Sequence, residues 1–305
     1  MRVVIGGATG FIGSALVHAL LQRGDTVTAL ATDPAAARRQ FGSAVEVREW
    51  HPPAMGGDWA GAVIGADAVV NLAGRQVIQP LQPWTASEKA KIRNSRVDST
   101  AALVEAIKAA DPRPSVFVNQ SAVGYYGESG DSVLTEDHPA GAGFMASLVQ
   151  EWEATARLVE EYGVRLVILR TAVVLGKGGE MPLLALPFKL FFGGTLGRPN
   201  QWFSWIHLED EIGLILHAID RDNVRGVINA SAPHPVPMRV FSKELGAVLH
   251  RPSWFPLYAL LFRIGLGQRS EAMLTSLRVL PERATTSGYV FKHPDVDEAL
   301  RSIFH

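Results

Sequence analysis

Short β-branched runs alternate with longer amphipathic runs through the first half of the chain, a pattern typical of parallel strands joined by crossover helices. Runs such as 69–72 and 166–169 are apolar on both faces, which predicts helices on both sides of the sheet. We therefore predict an α/β fold with a doubly wound parallel sheet. The predicted strands are Arg2–Ile5, Thr26–Leu30, Val45–Trp50, Ala68–Leu72, Val116–Gln120, Arg165–Leu169 and Gly226–Ala230. The predicted helices are Ile12–Arg23, Ala35–Phe41, Ser87–Ala109, Leu148–Tyr162 and Glu211–Ile219.

The pattern loosens after Leu175 into segments rich in glycine and proline, and we expect no alternation of strand and helix after Ala232. This change predicts a smaller C-terminal lobe that holds the substrate. The main domain would comprise residues 1–177 and about 205–231. The lobe would comprise about 178–204 and 232–305.

A glycine-rich turn joins the first predicted strand to the first predicted helix. Gly7 would permit the tight turn, Gly10 would let a pyrophosphate approach the backbone, and Gly13 would let the helix lie close to the strand. The phosphates would then meet free N–H groups at the positive end of the helix. The order of strand, glycines and helix predicts dinucleotide binding on a Rossmann-type sheet.

The end of the second strand bears on the choice between NAD and NADP. Asp33 precedes Pro34 and fits an N-cap better than a partner of the ribose hydroxyl. Arg38 and Arg39 lie one turn further along and could reach a 2'-phosphate, although such a pair is often only solvated. We predict NADP as the cofactor, with NAD as the alternative.

Composition narrows the class of protein further. The 29 Lys and Arg residues nearly balance 30 Asp and Glu, so no overall field attracts a nucleic acid or an anionic membrane. Cysteine is absent, which excludes disulfides and thiolate chemistry, and no HExxH pair occurs. We expect no metal site, a cytoplasmic location, and a small molecule as the partner of a monomer or homodimer.

Five ordered segments carry a resemblance to the extended branch of the short-chain dehydrogenase/reductase superfamily. They are Gly7–Gly13, Asn71–Gly74, Ser121–Gly127, Leu169–Gly176 and Trp205–Asp210. The segment Ser95–Thr100, the run 203–207 and the C-terminal tail are more narrowly similar to bacterial "epimerase family" proteins. That resemblance implies an NAD-dependent epimerase/dehydratase domain followed by a short C-terminal domain of unknown function.

The motif and the resemblance together imply a set of cofactor-binding residues at the carboxyl ends of the strands, where such sheets bind ligands. The set is Gly7, Thr9, Gly10, Phe11, Ile12, Gly13, Thr32, Arg38, Leu72, Ala73, Gly74 and Thr171.

Catalysis is where the chain departs from the superfamily, whose usual chemistry uses a Tyr and a Lys four residues later on one helix. Phe144 and Leu148 occupy those positions here, and neither can move a proton. The candidate replacements are Ser121, at the end of the fifth strand, and one of Tyr125 and Tyr126, the other being packed.

Other polar residues near the predicted cleft have structural alternatives. His207 could serve as a base, but together with Asp210 it fits the start of a helix better. Arg170 is interpreted as an anchor between a strand end and a loop, with binding of a substrate carboxylate or phosphate as the alternative. The acidic segment 128–137 is either a lid or a solvated turn.

Two functions remain open from the sequence. The first is an NAD(P)-dependent oxidoreductase or epimerase that acts on a small, sugar-nucleotide-like substrate through Ser121 and a tyrosine. The second is a cofactor-binding or redox-sensing module that has lost the chemistry. Phe144 and Leu148 favour the second, and the otherwise intact cleft segments favour the first.

Overall fold

A seven-stranded parallel sheet forms the centre of the computed structural model, which describes residues 1–54, 57–77, 84–255 and 274–305. The order of the strands is β11-β7-β5-β4-β1-β2-β3. Their bounds are β1 Arg2–Gly6, β2 Thr26–Ala31, β3 Glu46–Glu49, β4 Ala68–Asn71, β5 Val116–Ala122, β7 Arg165–Thr171 and β11 Gly226–Ala230. The predicted doubly wound sheet is confirmed.

Helices cover both faces of the sheet. The helices of the described residues are α1 Phe11–Gln22, α2 Pro34–Phe41, α3 Ala86–Ala109, α4 Phe144–Arg157, α5 Met181–Lys189, α6 Leu208–Asp220, α7 Met238–Val248, α8 Glu282–Thr286 and α9 Val296–Phe304. One apolar core lies between the sheet and α1 and α6, and a second lies between the sheet and α3. Both cores are needed because strands such as β4 and β7 are buried on both faces.

Among the described residues, six short strands lie outside the central sheet. They are β6 Val133–Leu134, β8 Val173–Leu175, β9 Trp202–Phe203, β10 Trp205–His207, β12 Val236–Pro237 and β13 Arg278–Val279. β8 pairs with β10, β9 with β12 and β6 with β13. A third apolar core, which includes Phe188, Trp205, Phe241 and Leu300, joins α5, α7 and α9 near these pairs.

The structure corrects two of the sequence predictions. α4 begins at Phe144, four residues earlier than predicted, and ends at Arg157, with a 3-10 turn over Leu158–Tyr162. Short strands do return after Ala232, but each pairs with one other short strand and none joins the central sheet. No helix in the described part of the chain combines the length and apolarity that a bilayer-spanning segment needs.

The acidic segment 128–137 contains an exposed turn and is also bonded to other parts of the protein. β6, at its centre, pairs with β13. The Glu128 carboxylate accepts a hydrogen bond from the Ser276 N–H at 2.9 Å, and the buried Glu136 carboxylate accepts from the N–H groups of Asn229 and Arg283 at 3.0 and 3.1 Å. These bonds fix the segment to β11 and to the C-terminal part of the chain.

Candidate functional site

The glycine-rich turn between β1 and α1 lies at the carboxyl edge of the sheet. Gly7 has a φ of 80°, and a Cβ there would lie 2.7 Å from the backbone of Leu72. A Cβ at Gly13 would lie 2.2 Å from the Gly7 carbonyl oxygen. These two glycines are therefore required by the fold itself.

Gly10 differs from its two neighbours in the motif. It is the N-cap of α1 with a φ of −73°, and a Cβ would meet only the Gly7 carbonyl oxygen, at 3.3 Å. Among the described residues no side chain caps α1, and its first turn contains no acid. The N–H groups at this end of α1 are therefore free to meet an anion, and the fold alone does not explain a glycine at position 10.

The end of β2 presents its polar side chains to solvent. Thr32 and Arg38 are exposed, and the described residues contain no hydrogen-bonding partner for either. Asp33 is the N-cap of α2, as predicted, because its carboxylate accepts from the Ala36 N–H at 2.9 Å. Arg38 also borders a cavity of about 420 Å³, which is lined as well by His51, shortly after the end of β3.

The loop that follows β4 is fixed by a buried amide network. The Asn71 amide donates to the Thr100 hydroxyl and to the Asn119 side chain, both at 2.9 Å, and its carbonyl accepts from the Ala73 N–H. Leu72, Ala73 and Gly74 are thereby held beside the β1–α1 turn. Asn71 is therefore a hydrogen-bonded amide at the end of β4.

A buried ion pair fills the space between β5, β7 and α4. Arg170 donates to both carboxylate oxygens of Glu153, at 2.8 and 2.9 Å, and the Ser121 hydroxyl donates to one of them at 2.7 Å. Burial alone would lower the pKa of Arg170, but the carboxylate beside it raises that pKa above its usual value. Arg170 therefore pairs with a helix rather than with the predicted loop alone.

The two neighbouring tyrosines have different surroundings. Tyr126 is buried, and its hydroxyl donates to Asn229 at 2.7 Å and accepts from Arg170 at 3.1 Å. Burial raises the pKa of Tyr126 above its usual value, although Arg170 opposes the shift. Tyr125 is half-buried, its ring lies 3.3 Å from the guanidinium carbon of Arg170, and its hydroxyl has no partner among the described residues. Tyr126 is thus the packed tyrosine, and Tyr125 has the free phenol.

Phe144 and Leu148 lie in an apolar cluster. Leu148 is buried with Trp84, Ile92 and Trp152, and the Phe144 ring packs edge-on against Trp84 at 5.2 Å. Neither position brings a proton donor into the cleft.

Another buried acid lies on the face of the sheet opposite Glu153. Glu211 of α6 accepts hydrogen bonds from Thr171 at 2.9 Å and from the Gln120 amide at 3.2 Å. Its second carboxylate oxygen is buried without a partner in the described structure. Burial raises the pKa of Glu211 to about 7, although the bonds from Thr171 and Gln120 oppose the shift. Thr171 is therefore held by the protein itself.

His207 has the structural role that the sequence favours. Its Nδ1 accepts from the Glu209 N–H at 3.1 Å and so caps α6, while Nε2 contacts the Ser302 hydroxyl at 3.2 Å. Ligand atoms of His207, Glu209 and His293 lie within 4.8 Å of one another. A metal ion there would have to displace one of the bonds of His207, so the arrangement does not favour one.

The sequence analysis did not identify the buried acids Glu153 and Glu211. Glu153 lies on the stripe of α4 that also buries Val149 and Ala156, at intervals of four and three residues. Glu211 lies on the buried stripe of α6 with Leu214 and Ile215. An acid on the apolar stripe of an amphipathic helix was the signal that could have found both.

This is a dinucleotide-binding α/β protein of the short-chain dehydrogenase/reductase type. The class is defined by the order of the strands and by the glycine-rich turn at the carboxyl edge of the sheet. The chain belongs to the NAD dependent epimerase/dehydratase family, whose profile matches residues 3–231. A domain of unknown function, DUF1731, matches residues 259–303. The resemblance inferred from the sequence is confirmed.

Relatives match nearly end to end. The chain is 38% identical over 311 residues to the chloroplastic epimerase family protein SDR39U1 homolog of Arabidopsis thaliana, covering 99% of this chain and 86% of that one. It is similar to the crystal structure of human epimerase family protein SDR39U1 (isoform 2) with NADPH, with TM-score 0.89, 34% identity and 99% of each chain covered. A nucleoside-diphosphate sugar epimerase from Corynebacterium glutamicum has TM-score 0.79 and 29% identity over 100% of this chain and 58% of that chain.

Proposed function

We propose that this chain is an NADP(H)-dependent oxidoreductase or epimerase that acts on a small, sugar-nucleotide-like substrate at the carboxyl edge of the sheet. The observation that carries the proposal is the β1–α1 turn. Gly7 and Gly13 are required by packing, whereas Gly10 leaves free N–H groups open to a pyrophosphate. The human relative with NADPH supports the same class of ligand.

NADP fits the end of β2 better than NAD. Asp33 already accepts the hydrogen bond that caps α2, which leaves it poorly placed to bind a ribose 2'-hydroxyl as well. Arg38 is exposed beside an open cavity and has no acidic partner among the described residues. An arginine in that setting suits a 2'-phosphate.

Tyr125 is the residue to which we assign proton exchange. Bound NADP(H) would supply or accept the hydride. The Tyr125 hydroxyl has no hydrogen-bonding partner in the described structure, and the Arg170 guanidinium carbon lies 3.3 Å from the centre of its ring. The Ser121 proton is directed at Glu153, so the Ser121 oxygen would serve as an acceptor for a substrate hydroxyl unless its proton rotates away.

The substrate class rests on the nucleoside-diphosphate sugar epimerase that is 29% identical to this chain. A second function, a cofactor-binding or redox-sensing module, is favoured by one observation. The two positions that carry Tyr and Lys in the superfamily are here part of an apolar cluster.

The first experiment is calorimetric titration of the protein with NADPH and with NADH. We expect tighter binding of NADPH, and we expect the double variant Arg38→Ala with Arg39→Ala to narrow the difference. The matched control is Arg221→Ala with Arg225→Ala, which removes the same charge from exposed positions before β11, at the opposite edge of the sheet. Equal affinities in the parent protein would contradict the NADP assignment.

The second experiment separates the enzyme from the binding module. Carbonyl and sugar-nucleotide substrates are screened by the absorbance of reduced nicotinamide, and exchange of a labelled hydride detects an epimerase with no net redox change. Tyr125→Phe should lower turnover by about 10² or more and leave NADPH affinity within a few fold. Tight NADPH binding without turnover on any substrate would favour the binding module.

A further inference from the structure

Arg96 of α3 is a cation without a counter-ion. Its Nη1 donates to the backbone carbonyl oxygens of Arg75 and Ile92, at 2.9 and 3.1 Å. Nε and Nη2 have no acceptor in the described part of the chain, and no carboxylate there pairs with this residue. Arg75 next to it, by contrast, is paired with Glu88 at 2.6 Å.

The Arg96 side chain is partly buried beside an aromatic ring. Its guanidinium carbon lies 5.4 Å from the centre of the Trp152 ring. Burial lowers the pKa of Arg96 to about 10, so the side chain is still charged at neutral pH. A partly desolvated charge costs stability when no carboxylate in the described residues pairs with it, so this arginine points to a role in binding an anion.

The guanidinium lies at the predicted cofactor edge. A Cβ at Gly74 would lie 3.2 Å from its Cζ and 3.4 Å from its Nη2, so a larger residue at 74 would displace it. The loop containing Gly74 follows Leu72, whose backbone lies against Gly7 of the β1–α1 turn. Arg96 therefore lies against the same short segment, Leu72–Gly74, that contacts the β1–α1 turn.

The helix around Arg96 is rigidly held. The Ser95 hydroxyl accepts from the Arg75 N–H at 2.9 Å, and the Thr100 hydroxyl accepts from Trp152 at 2.8 Å and from Asn71 at 2.9 Å. These bonds explain the segment Ser95–Thr100, which the sequence singles out without a role. They place the arginine before any ligand arrives, and so reduce the entropy lost on binding.

Arg96 also lies close to the position of the missing lysine. Leu148 and Trp152 are one turn apart on α4, and Leu148 packs in the same cluster as Ile92 and Val97 of α3, which flank Arg96. We propose that Arg96 is an anion-binding residue whose Nε and Nη2 hold a phosphate or carboxylate oxygen of the ligand. Arg96, on the neighbouring helix, would supply the positive charge that the superfamily's lysine supplies at the position of Leu148. This inference rests on the proposed function for the nature of the ligand.

The test compares Arg96→Gln with the wild type in calorimetric titrations using three probes. These are NADPH, UDP in the presence of saturating NADP, and inorganic pyrophosphate. We expect Arg96→Gln to lower the affinity for NADPH or for UDP at least tenfold, and to lower the affinity for pyrophosphate as well. A loss for NADPH identifies the anion as the cofactor's phosphate, and a loss for UDP alone identifies it as the substrate's. Arg96→Lys should recover part of the affinity, because it restores the charge without the planar fork.

Arg93→Gln is the matched control. Arg93 lies one turn earlier on α3 and forms an exposed pair with Glu151, so its loss should leave all three affinities within twofold. The proposal would be overturned if the Arg96→Gln variant bound both NADPH and UDP with affinities within twofold of those of the wild type. If the wild type does not bind NADPH, the proposed function fails, and the role of Arg96 is then decided by pyrophosphate alone.

A purely structural arginine would behave differently. In that case Arg96→Gln would lower the melting temperature of the free protein and leave the rise caused by each probe unchanged. We expect the reverse, with the free protein melting within a few degrees of the wild type and the rise caused by the probe reduced. A lowered melting temperature with an unchanged rise would also refute the inference.

Discussion

The two halves of the carboxyl edge of the sheet differ in whether their polar groups have hydrogen-bonding partners within the protein. In the half built from β1, β2 and β4, the first turn of α1 and the side chains of Thr32 and Arg38 have no partners in the described structure. In the half built from β5 and β7, Ser121, Glu153 and Arg170 bind one another. The first half, called here the open half, therefore has polar groups available for a ligand. In the second, the paired half, most polar groups stabilise the fold.

Glu153 is the strongest test of the second half. Glu153→Ala removes both hydrogen bonds to Arg170 and leaves a buried cation unpaired, since the exposed fractions of the two side chains are 4% and 3%. Breaking one partner of a buried pair costs about 3–5 kcal/mol, so we expect a loss of that size in the free energy of unfolding in urea. The control is Glu151→Ala on the same helix, whose exposed pair with Arg93 should contribute under about 1 kcal/mol. Equal losses at the two positions would show that the network is not what stabilises this half.

Gly10 tests the open half. Gly10→Val places a side chain in the approach to the N–H groups of α1, and its nearest neighbour within 4 Å, the Gly7 carbonyl oxygen, is tolerable at 3.3 Å. We expect a folded protein that binds NADPH at least about 100-fold more weakly, a loss of about 2.7 kcal/mol. Gly13→Ala is the contrasting variant, because its Cβ would lie 2.2 Å from backbone and should reduce stability. A folded Gly10→Val protein with unchanged affinity would move the nucleotide away from this turn.

The difference between the two halves also explains which features of the fold and the site could be predicted from the sequence. The open half depends on local order, strand then glycines then helix, and its main features were predicted from residues close together in the chain. The paired half depends on contacts between residues far apart, such as Ser121 with Glu153 and Tyr126 with Asn229. No local pattern specifies such partners, so the sequence left Tyr125 and Tyr126 equivalent. The start of α4 was misplaced because Gly143, with a φ of 104°, precedes the helix without a capping side chain in the described structure.

Glu211 has a buried carboxylate oxygen without a hydrogen-bonding partner in the described structure. Its pKa in the folded protein, about 7, lies above the ordinary value of 4.5. Stability from this group is therefore fully present below pH 4.5 and is lost as the pH rises through 7. Glu211→Gln keeps the shape without the charge, so relative to wild type it should gain about 2 kcal/mol in the free energy of unfolding between pH 5 and pH 8. Unfolding curves at the two pH values measure the gain, and an equal difference at both would mean that Glu211 is already ionised at pH 5.

The adjacent tyrosines give the smallest and most discriminating effect. Tyr126→Phe removes a buried hydroxyl between Asn229 and Arg170, and the loss of that bond should cost about 1 kcal/mol in the free energy of unfolding. Tyr125→Phe removes a hydroxyl with no partner in the described residues, so the stability of that variant should match wild type. Turnover should respond in the opposite order, falling with Tyr125→Phe and surviving Tyr126→Phe. Turnover lost only with Tyr126→Phe would place the reacting group inside the paired network and remove the distinction between the two halves at this point.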